Sequence, residues 1–131
     1  MAASILVVED NPQNLKLMVY LLESFGHTVE SALDGLSGLD AAMRGNHDLV
    51  LSDILMPGID GYELARRFKA EERLKSIPLI AVTALAMVGD RDRVLSAGFD
   101  GYLSKPIDPS KFVLEVDAFL PDDLRSRASR K

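Results

Sequence analysis

The 131-residue sequence contains no cysteine, which excludes disulfides, thiolate metal ligands and thiol nucleophiles. No apolar run approaches the roughly 20 residues that a membrane-spanning helix needs. The first residues lack the basic segment and long apolar core of a signal peptide. Basic residues are in the minority, because 15 Lys and Arg stand against 20 Asp and Glu and leave a formal net charge of −5. This balance counts against nucleic acid as a direct partner. We therefore expect a cytoplasmic protein that contacts neither membrane nor nucleic acid.

Short apolar segments rich in β-branched residues alternate five times with segments whose apolar residues recur every three or four positions. This alternation predicts an α/β fold in which helices cover both faces of a parallel sheet. Right-handed crossovers restrict the topology to a few doubly wound orders, but the pattern does not order the strands. We expect one domain over residues 1–121. Residues 122–131 are interpreted as a flexible, solvated basic tail, which could also be the start of a linker.

The segment from Leu49 to Gly58 identifies the first candidate reacting group. Its apolar beginning has no polar alternation, which is typical of a strand buried on both faces. The run ends at Asp53, and a Pro-Gly turn signal follows shortly afterwards. Open α/β sheets place their ligand chemistry at the carboxyl ends of the strands, so Asp53 is the first candidate.

Polar residues follow the predicted strands at one edge of the sheet: Glu9, Asp10, Asp53, Thr83 and Lys105. Three carboxylates in one crevice repel one another, by roughly 4 kcal/mol for a pair about 4 Å apart at an effective dielectric near 20. Either one acid is protonated, or a hard divalent cation such as Mg²⁺ binds them. Ammonium and hydroxyl groups bind phosphoryl oxygens, which favours the second alternative. The acid after the third strand would then be a nucleophile that forms an aspartyl-phosphate.

Four motifs now carry a family resemblance: Val7-Val8-Glu9-Asp10-Asn11, the segment DILMPGIDG that begins at Asp53, Val82-Thr83-Ala84, and Tyr102-Leu103-Ser104-Lys105-Pro106. Together they resemble the receiver domain of bacterial two-component response regulators, over roughly residues 4–120. The segment TALAMVGD, which begins at Thr83, is similar to stand-alone receivers of the DivK kind.

The resemblance implies a fold and a reaction. The fold would be the flavodoxin-like receiver fold, with strand order 2-1-3-4-5 and five helices. Asp53 would accept a phosphoryl group from a histidine on a partner kinase or a histidine phosphotransfer protein. The side chains of Glu9, Asp10 and Asp53 and the backbone carbonyl of Ile54 would hold Mg²⁺, with Mn²⁺ as a substitute.

The resemblance also implies a conformational switch. Lys105 would pair with the phosphoryl group, and its peptide bond to Pro106 would be cis. Thr83 would move to bond the phosphoryl group, and Tyr102 would turn inward to fill the vacated space. The protein would be a phosphoacceptor switch and not an enzyme, acting as a monomer or weak dimer. Helix 4, strand 5 and helix 5 would form the face that binds a downstream protein, with four contact candidates: Met87, Val88, Ile107 and Phe112.

Three apolar residues flank the acceptor and would tune its chemistry. Ala84 would leave the site open, as the family's small residue does at this position. Leu55 and Leu85 stand two positions after Asp53 and Thr83, where receivers place or exclude the water that removes the phosphoryl group. Neither leucine can orient water, so we expect a long-lived phosphoryl state.

Other functions fit parts of the pattern. The chain could be an intermediate shuttle in a multistep relay, or a receiver cut from a larger regulator or hybrid kinase. A flavodoxin-like cofactor carrier shares the architecture, but its first loop must bind phosphate, which Glu9 and Asp10 would repel. An aspartyl-phosphate hydrolase normally has a second acid two residues after its nucleophile, where this chain has Leu55.

Ordinary structural roles compete for several of these residues. Glu9 and Asp10 could serve the following helix N-terminus, where the helix dipole favours acids. A tyrosine at the position of Tyr102 is often half-buried packing. Asn11 is expected to cap the first helix, with Pro12 as its first residue, and Asp60 is expected to cap the third helix. Finally, His27 and His47 follow helices with no acid at ligand spacing, so we expect both to be solvated.

Overall fold

Strands and helices alternate along the chain in the computed structural model, which describes residues 3–84 and 88–129. The strands are β1 (Ser4–Val8), β2 (Thr28–Ala32), β3 (Leu49–Ser52), β4 (Leu79–Thr83) and β5 (Gly101–Ser104). The helices are α1 (Pro12–Ser24), α2 (Gly35–Arg44), α3 (Gly61–Ala70), α4 (Val88–Ser96) and α5 (Phe112–Asp117). Two short 3-10 turns follow, at Asp122–Leu124 and Arg127–Ser129.

The five strands of the described ranges form one parallel sheet in the order β2-β1-β3-β4-β5. This order confirms the predicted fold class. All residues of β3 and β4 are buried, as expected for strands covered on both faces, whereas β2 is an exposed edge strand. The register pairs Val8 with both Ala32 and Ser52, so β1, β2 and β3 end at the same edge of the sheet.

Two apolar cores lie on opposite faces of the sheet because consecutive strand residues point in opposite directions. Leu6 and Val8 of β1 pack in the core that also contains residues of α2, α3 and α4. Ile5 and Val7 pack in the other core, together with residues of α1 and α5. The sheet is therefore covered on both sides, as the doubly wound architecture requires.

Side-chain caps fix where two helices begin. The side chain of Asn11 accepts hydrogen bonds from the backbone N–H groups of Gln13 and Asn14, at 3.0 Å each, and Pro12 is the first residue of α1. Asp60 caps α3 by accepting from the N–H of Glu63 at 3.0 Å. Both caps were predicted. They set the loops that leave β1 and β3, which is where the candidate site lies.

The last helix begins later than predicted. Its pattern indicates a start at Asp108 or Pro109, but α5 begins at Phe112. The carboxylate of Asp108 accepts from the N–H of Ser110 at 3.0 Å and from its hydroxyl at 2.7 Å. These bonds close a local turn ahead of the helix. The loop after β5 is correspondingly longer.

The prediction that His27 and His47 are solvated is wrong. Their residues are only 3% and 8% exposed. Nε2 of His27 lies 2.8 Å from Oδ1 of Asp117, and Nε2 of His47 lies 2.8 Å from Oε1 of Glu30. These acids are distant in sequence, so no local spacing signal reveals them.

Part of the C-terminal segment packs against the domain. Ser126 is only 1% exposed, so the expectation of a wholly solvated tail is wrong at this residue. Its hydroxyl donates to Asp117 Oδ2 at 2.5 Å. The domain boundary at residue 121 and the flexibility of the tail stay predictions, and residues 130 and 131 lie outside the described part. Within the described ranges, no helix is both long enough and apolar enough to cross a bilayer.

Candidate functional site

Three carboxylates meet where β1 and β3 end. Glu9 and Asp10 follow β1 directly, and Asp53 follows β3. The N–H of Asp53 donates to the carbonyl of Val8 at 2.9 Å, which extends the β1–β3 ladder by one residue. Glu9, Asp10 and Asp53 each offer a carboxylate oxygen, and these oxygens all lie within 4.8 Å of one another. This spacing suits joint coordination of one divalent cation by hard oxygen ligands.

Lys105 reaches this cluster from the end of β5. Its Nζ lies 2.8 Å from Glu9 Oε1 and 3.1 Å from Asp53 Oδ2. The backbone N–H of Lys105 donates to the backbone carbonyl of Thr83 at 2.8 Å, which connects the end of β5 to the end of β4. Its peptide bond to Pro106 is cis, as the family resemblance implied. The ammonium is thereby held between two acids that come from different strands.

Burial and charge oppose each other in this cluster. Glu9 is fully buried, and its pKa is raised. Burial and the negative charge of Asp53 raise this pKa by more than Lys105 and the N–H of Asn11 lower it. Burial would lower the pKa of Lys105, but hydrogen bonds to Glu9 and Asp53 outweigh it and raise the pKa. When all four groups are ionised, three carboxylates and one ammonium leave a local charge of −2. A divalent cation is the counter-charge that balances it.

The acceptor candidate is fixed by its own backbone. Oδ1 of Asp53 accepts from the N–H of Ile54 at 2.7 Å. The carbonyl of Ile54 accepts from the N–H of Gly61 at 2.7 Å, at the first residue of α3. That bond occupies one of the two lone pairs of the carbonyl and leaves the other for a metal ion. The ligand role of Ile54 stays a prediction.

The remaining switch candidates lie on β4 and β5. Thr83 is the last residue of β4, 1% exposed, and pairs with Ser104 in the ladder. Tyr102 is half-buried, pairs with Ala81, and packs against the core that contains α3 and α4. Ala84 is exposed and lines a cavity of about 350 Å³ together with Lys105 and four other residues: Asn14, Leu17, Pro106 and Ile107.

The structure describes some of the predicted tuning and partner-contact residues and not others. Leu55 is 63% exposed, beside the acceptor. Leu85 and Met87 lie outside the described residues, and so does the side chain of Val88. Ile107 is half-buried.

Phe112 is 1% exposed and packs in the core, so its prediction as a contact residue is wrong. Its position at the start of α5 places its ring on the helix face that covers the sheet. Leu114, two positions later, is the exposed apolar residue of α5 at 47% exposure. Phe112, Val113 and Val116 are buried and form the inner face of α5. Leu114 lies outside this apolar stripe, and that position was the sequence signal for a contact candidate.

Two further residues touch the acceptor that sequence reasoning did not single out. The hydroxyl of Ser52 donates to the carbonyl of Asp53 at 2.8 Å. Gly61 lies against the same carbonyl. One signal was present for Ser52, because a hydroxyl in an otherwise apolar, fully buried strand needs a hydrogen-bond partner.

Comparison with known proteins gives relatives along almost the whole chain. The family model of the response regulator receiver domain matches residues 5–117. The polar-differentiation response regulator DivK of Brucella ovis is 40% identical over 122 residues, which cover 93% of this chain and 99% of that protein.

Solved structures give the same fold. The receiver domain of the sensor histidine kinase PA1611 from Pseudomonas aeruginosa PAO1 has a magnesium ion coordinated in its active site cleft. It is 35% identical to this chain, with a TM-score of 0.83 over 91% of this chain and 98% of that one. Chemotaxis response regulator CheY4 of Vibrio cholerae has a TM-score of 0.87 at 25% identity, over 92% and 100% of the two chains.

Proposed function

This chain belongs to the response regulator receiver domain family, and we propose that it is a two-component switch in which Asp53 accepts the phosphoryl group. One observation carries the proposal. The carboxylate of Asp53 lies within reach of two further carboxylates and 3.1 Å from the ammonium of Lys105, at the carboxyl edge of a parallel sheet. A nucleophile, a cation site and a phosphoryl-binding ammonium are therefore assembled around one acid.

The chemical step is a transfer between two nucleophiles. An oxygen of the Asp53 carboxylate attacks the phosphorus of a phosphohistidine on a kinase or phosphotransfer protein. The O–P bond forms, the P–N bond breaks, and the nitrogen leaves with the electron pair of that bond, as neutral imidazole whose other ring nitrogen carries the proton. No acid of this chain is needed to protonate the leaving group, which agrees with an apolar residue, Leu55, two positions after the acceptor.

The residues around the acceptor fit a magnesium ion. Glu9, Asp10 and Asp53 would hold Mg²⁺, with Mn²⁺ as a substitute, because their oxygens lie within 4.8 Å of one another and the single ammonium of Lys105 does not balance three carboxylates. When bound, the ion would neutralise charge on the phosphoryl oxygens. The magnesium ion in the active site cleft of the PA1611 receiver supports a magnesium site in this chain.

Phosphorylation replaces about one negative charge on Asp53 with about two, carried on oxygens that accept strong hydrogen bonds. Lys105 would exchange its contact with Asp53 for the phosphoryl oxygens. Thr83, at the end of β4, would donate its hydroxyl to them, and Tyr102 would occupy the space that this movement opens. The change would reach the face made by α4, β5 and α5, because Tyr102 lies on β5 and Thr83 pairs with Ser104 of the same strand.

The available energy is sufficient for such a switch. Moving a two-state surface from 1% to 99% active takes about 5.5 kcal/mol of differential stabilisation. Charge-assisted hydrogen bonds contribute roughly 1.5–3 kcal/mol each, so about two to four of them are enough. The output would be a change in affinity for a downstream protein, made by a cytoplasmic monomer or weak dimer that is not itself an enzyme.

The test is the intact mass of the protein after incubation with acetyl phosphate and Mg²⁺. We expect one added phosphoryl group on the wild type, and none on Asp53→Asn or in the presence of a chelator. Asp60→Asn is the matched control, because it removes an acid from the same loop but keeps a residue that caps α3. An adduct that survives in Asp53→Asn would overturn the assignment of the acceptor.

A second probe covers receivers that accept only from a protein donor. Beryllofluoride with Mg²⁺ mimics the phosphoryl group without requiring transfer. If neither acetyl phosphate nor beryllofluoride changes the mass or the amide NMR spectrum of the wild type, the proposed function is wrong.

A further inference from the structure

Two residues contact the peptide group between Asp53 and Ile54. The hydroxyl of Ser52, a residue with no solvent exposure, donates to the carbonyl of Asp53 at 2.8 Å. Gly61 also lies against this peptide, since an ideal Cβ there would stand 2.5 Å from that carbonyl oxygen and 2.6 Å from Ile54 Cα. Both distances are below any normal carbon contact, so a side chain at residue 61 would displace this peptide.

The orientation of this peptide decides where the carboxylate of Asp53 points. It directs the N–H of Ile54 at Oδ1 of Asp53, 2.7 Å away. With Oδ1 held by the backbone, Oδ2 is the oxygen that faces Nζ of Lys105 at 3.1 Å. The N–H of Gly61 completes the arrangement by donating to the Ile54 carbonyl at 2.7 Å.

We propose that Ser52 and Gly61 are positioning residues for the acceptor: they hold the Asp53–Ile54 peptide so that one carboxylate oxygen is bound by the backbone and the other is presented to Lys105. Neither residue touches the incoming phosphoryl group. Their effect on the reaction passes through the orientation of Asp53, and the inference rests on the proposed function of that residue. Misplacement of a reacting group by about 1 Å can cost about a hundredfold in rate.

Gly61 acts by size and not by backbone freedom. The glycines with positive φ among the described residues are Gly26, Gly58 and Gly98, so alanine at 61 meets no conformational penalty of that kind. Its cost is the contact of a methyl group with the backbone of Asp53 and Ile54. Ser52→Ala makes the opposite change, since it removes a hydrogen bond and adds no atoms.

The experiment compares phosphoryl incorporation from acetyl phosphate with Mg²⁺ in the wild type, Ser52→Ala and Gly61→Ala. Gly101→Ala is the control, because its Cβ would stand 2.6 Å from the ring of Phe119, beside the amino end of β5 and away from the acceptor. All rates are measured at a temperature where circular dichroism shows each variant to be folded. We expect Ser52→Ala and Gly61→Ala to be slowed about tenfold to a hundredfold, and Gly101→Ala to keep the wild-type rate.

A spectroscopic readout separates positioning from general stability. Loss of the bond from Ile54 N–H to Asp53 Oδ1 should speed exchange of that amide with solvent and shift its proton resonance upfield in Ser52→Ala. Ser52→Thr retains the hydroxyl and should restore both the amide signal and the rate. If Gly61→Ala does not fold, the Ser52 pair alone decides the question.

The outcomes distinguish this inference from the proposed function. If the wild type takes up phosphoryl groups and Ser52→Ala does so at the same rate with an unchanged Ile54 amide, the positioning role is wrong although the acceptor is right. A rate loss shared equally by Gly101→Ala would also contradict it. If the wild type takes up no phosphoryl group and does not bind beryllofluoride, the proposed function itself is wrong.

Discussion

The imidazole of His27 and the carboxylate of Asp117 meet inside the protein with Nε2 and Oδ1 2.8 Å apart, although 90 positions separate them in the chain. The N–H of Ala3 donates to Nδ1 of His27 at 3.0 Å, so the ring proton lies on Nε2 and is donated to Asp117. The hydroxyls of Ser126 and Ser129 donate to Oδ2 of the same acid, at 2.5 and 2.7 Å. One carboxylate thereby joins α5, the turn before β2 and the C-terminal segment.

Replacement of Asp117 by alanine should lower the free energy of unfolding by about 3 kcal/mol or more, because it leaves buried donors without an acceptor. Urea denaturation followed by circular dichroism measures this loss. Asp122→Ala is the matched control, since the side chain of Asp122 is 94% exposed where it pairs with Arg125. We expect that control to stay within about 0.5 kcal/mol of the wild type. Equal effects of the two substitutions would contradict the role of the buried network.

The same acid should make stability depend on pH. Burial would raise the pKa of Asp117, but hydrogen bonds from Ser126, Ser129 and His27 outweigh it and hold the pKa below the usual 3.8. A carboxyl group whose pKa is lower in the folded state contributes stability above its unfolded pKa and loses it as the pH falls through the folded value. We therefore expect the free energy of unfolding to fall more steeply below about pH 4 in the wild type than in Asp117→Asn. Urea titrations between neutral and acidic pH would show the difference, and parallel curves would contradict it.

The features that the sequence predicts correctly depend on interactions between residues close together in the chain. The cap at Asn11, the cap at Asp60 and the buried run before Asp53 each depend on a few neighbouring residues, and all three have the predicted conformation. The polar ends of the strands converge because a parallel sheet aligns its carboxyl edges, which follows from the alternation of strands and helices alone.

The features that local sequence patterns do not predict depend on contacts between residues far apart in the chain. The acid partners of His27 and His47 lie 90 and 17 residues away, so the burial of these histidines has no signature in their own neighbourhoods. The order of the strands likewise came from family resemblance and not from spacing. The contact of Gly61 with the carbonyl of Asp53 depends on how α3 packs at the end of β3, and this packing is a tertiary contact that no local pattern shows.

Magnesium should stabilise the folded protein. Binding to the native state alone adds about 2.7 kcal/mol when the ion is at 100 times its dissociation constant. Asp10→Asn should lose most of this gain, because it removes one of the three carboxylates within 4.8 Å of one another. Thermal unfolding with MgCl₂ and with EDTA measures the gain. Asp40→Asn, which changes an exposed acid of α2, should respond to the ion as the wild type does. If Asp10→Asn gains as much stability from Mg²⁺ as the wild type, the ligand assignment is wrong.

The lifetime of the phosphoryl group should depend on Leu55. This side chain is 63% exposed beside Asp53, and its apolar surface has no atom that can hydrogen-bond and orient an attacking water. Leu55→Asn places an amide at the same position, and its exposure means that the substitution disturbs little packing. We expect dephosphorylation of Leu55→Asn to be about tenfold faster than that of the wild type, a modest part of what positioned polar groups contribute to such reactions. The decay of the phosphorylated mass after removal of acetyl phosphate measures both rates, with Leu114→Asn as an exposed leucine away from the acceptor for control. A wild-type lifetime of only seconds, or equal lifetimes for Leu55→Asn and the wild type, would show that this leucine does not protect the phosphoryl group.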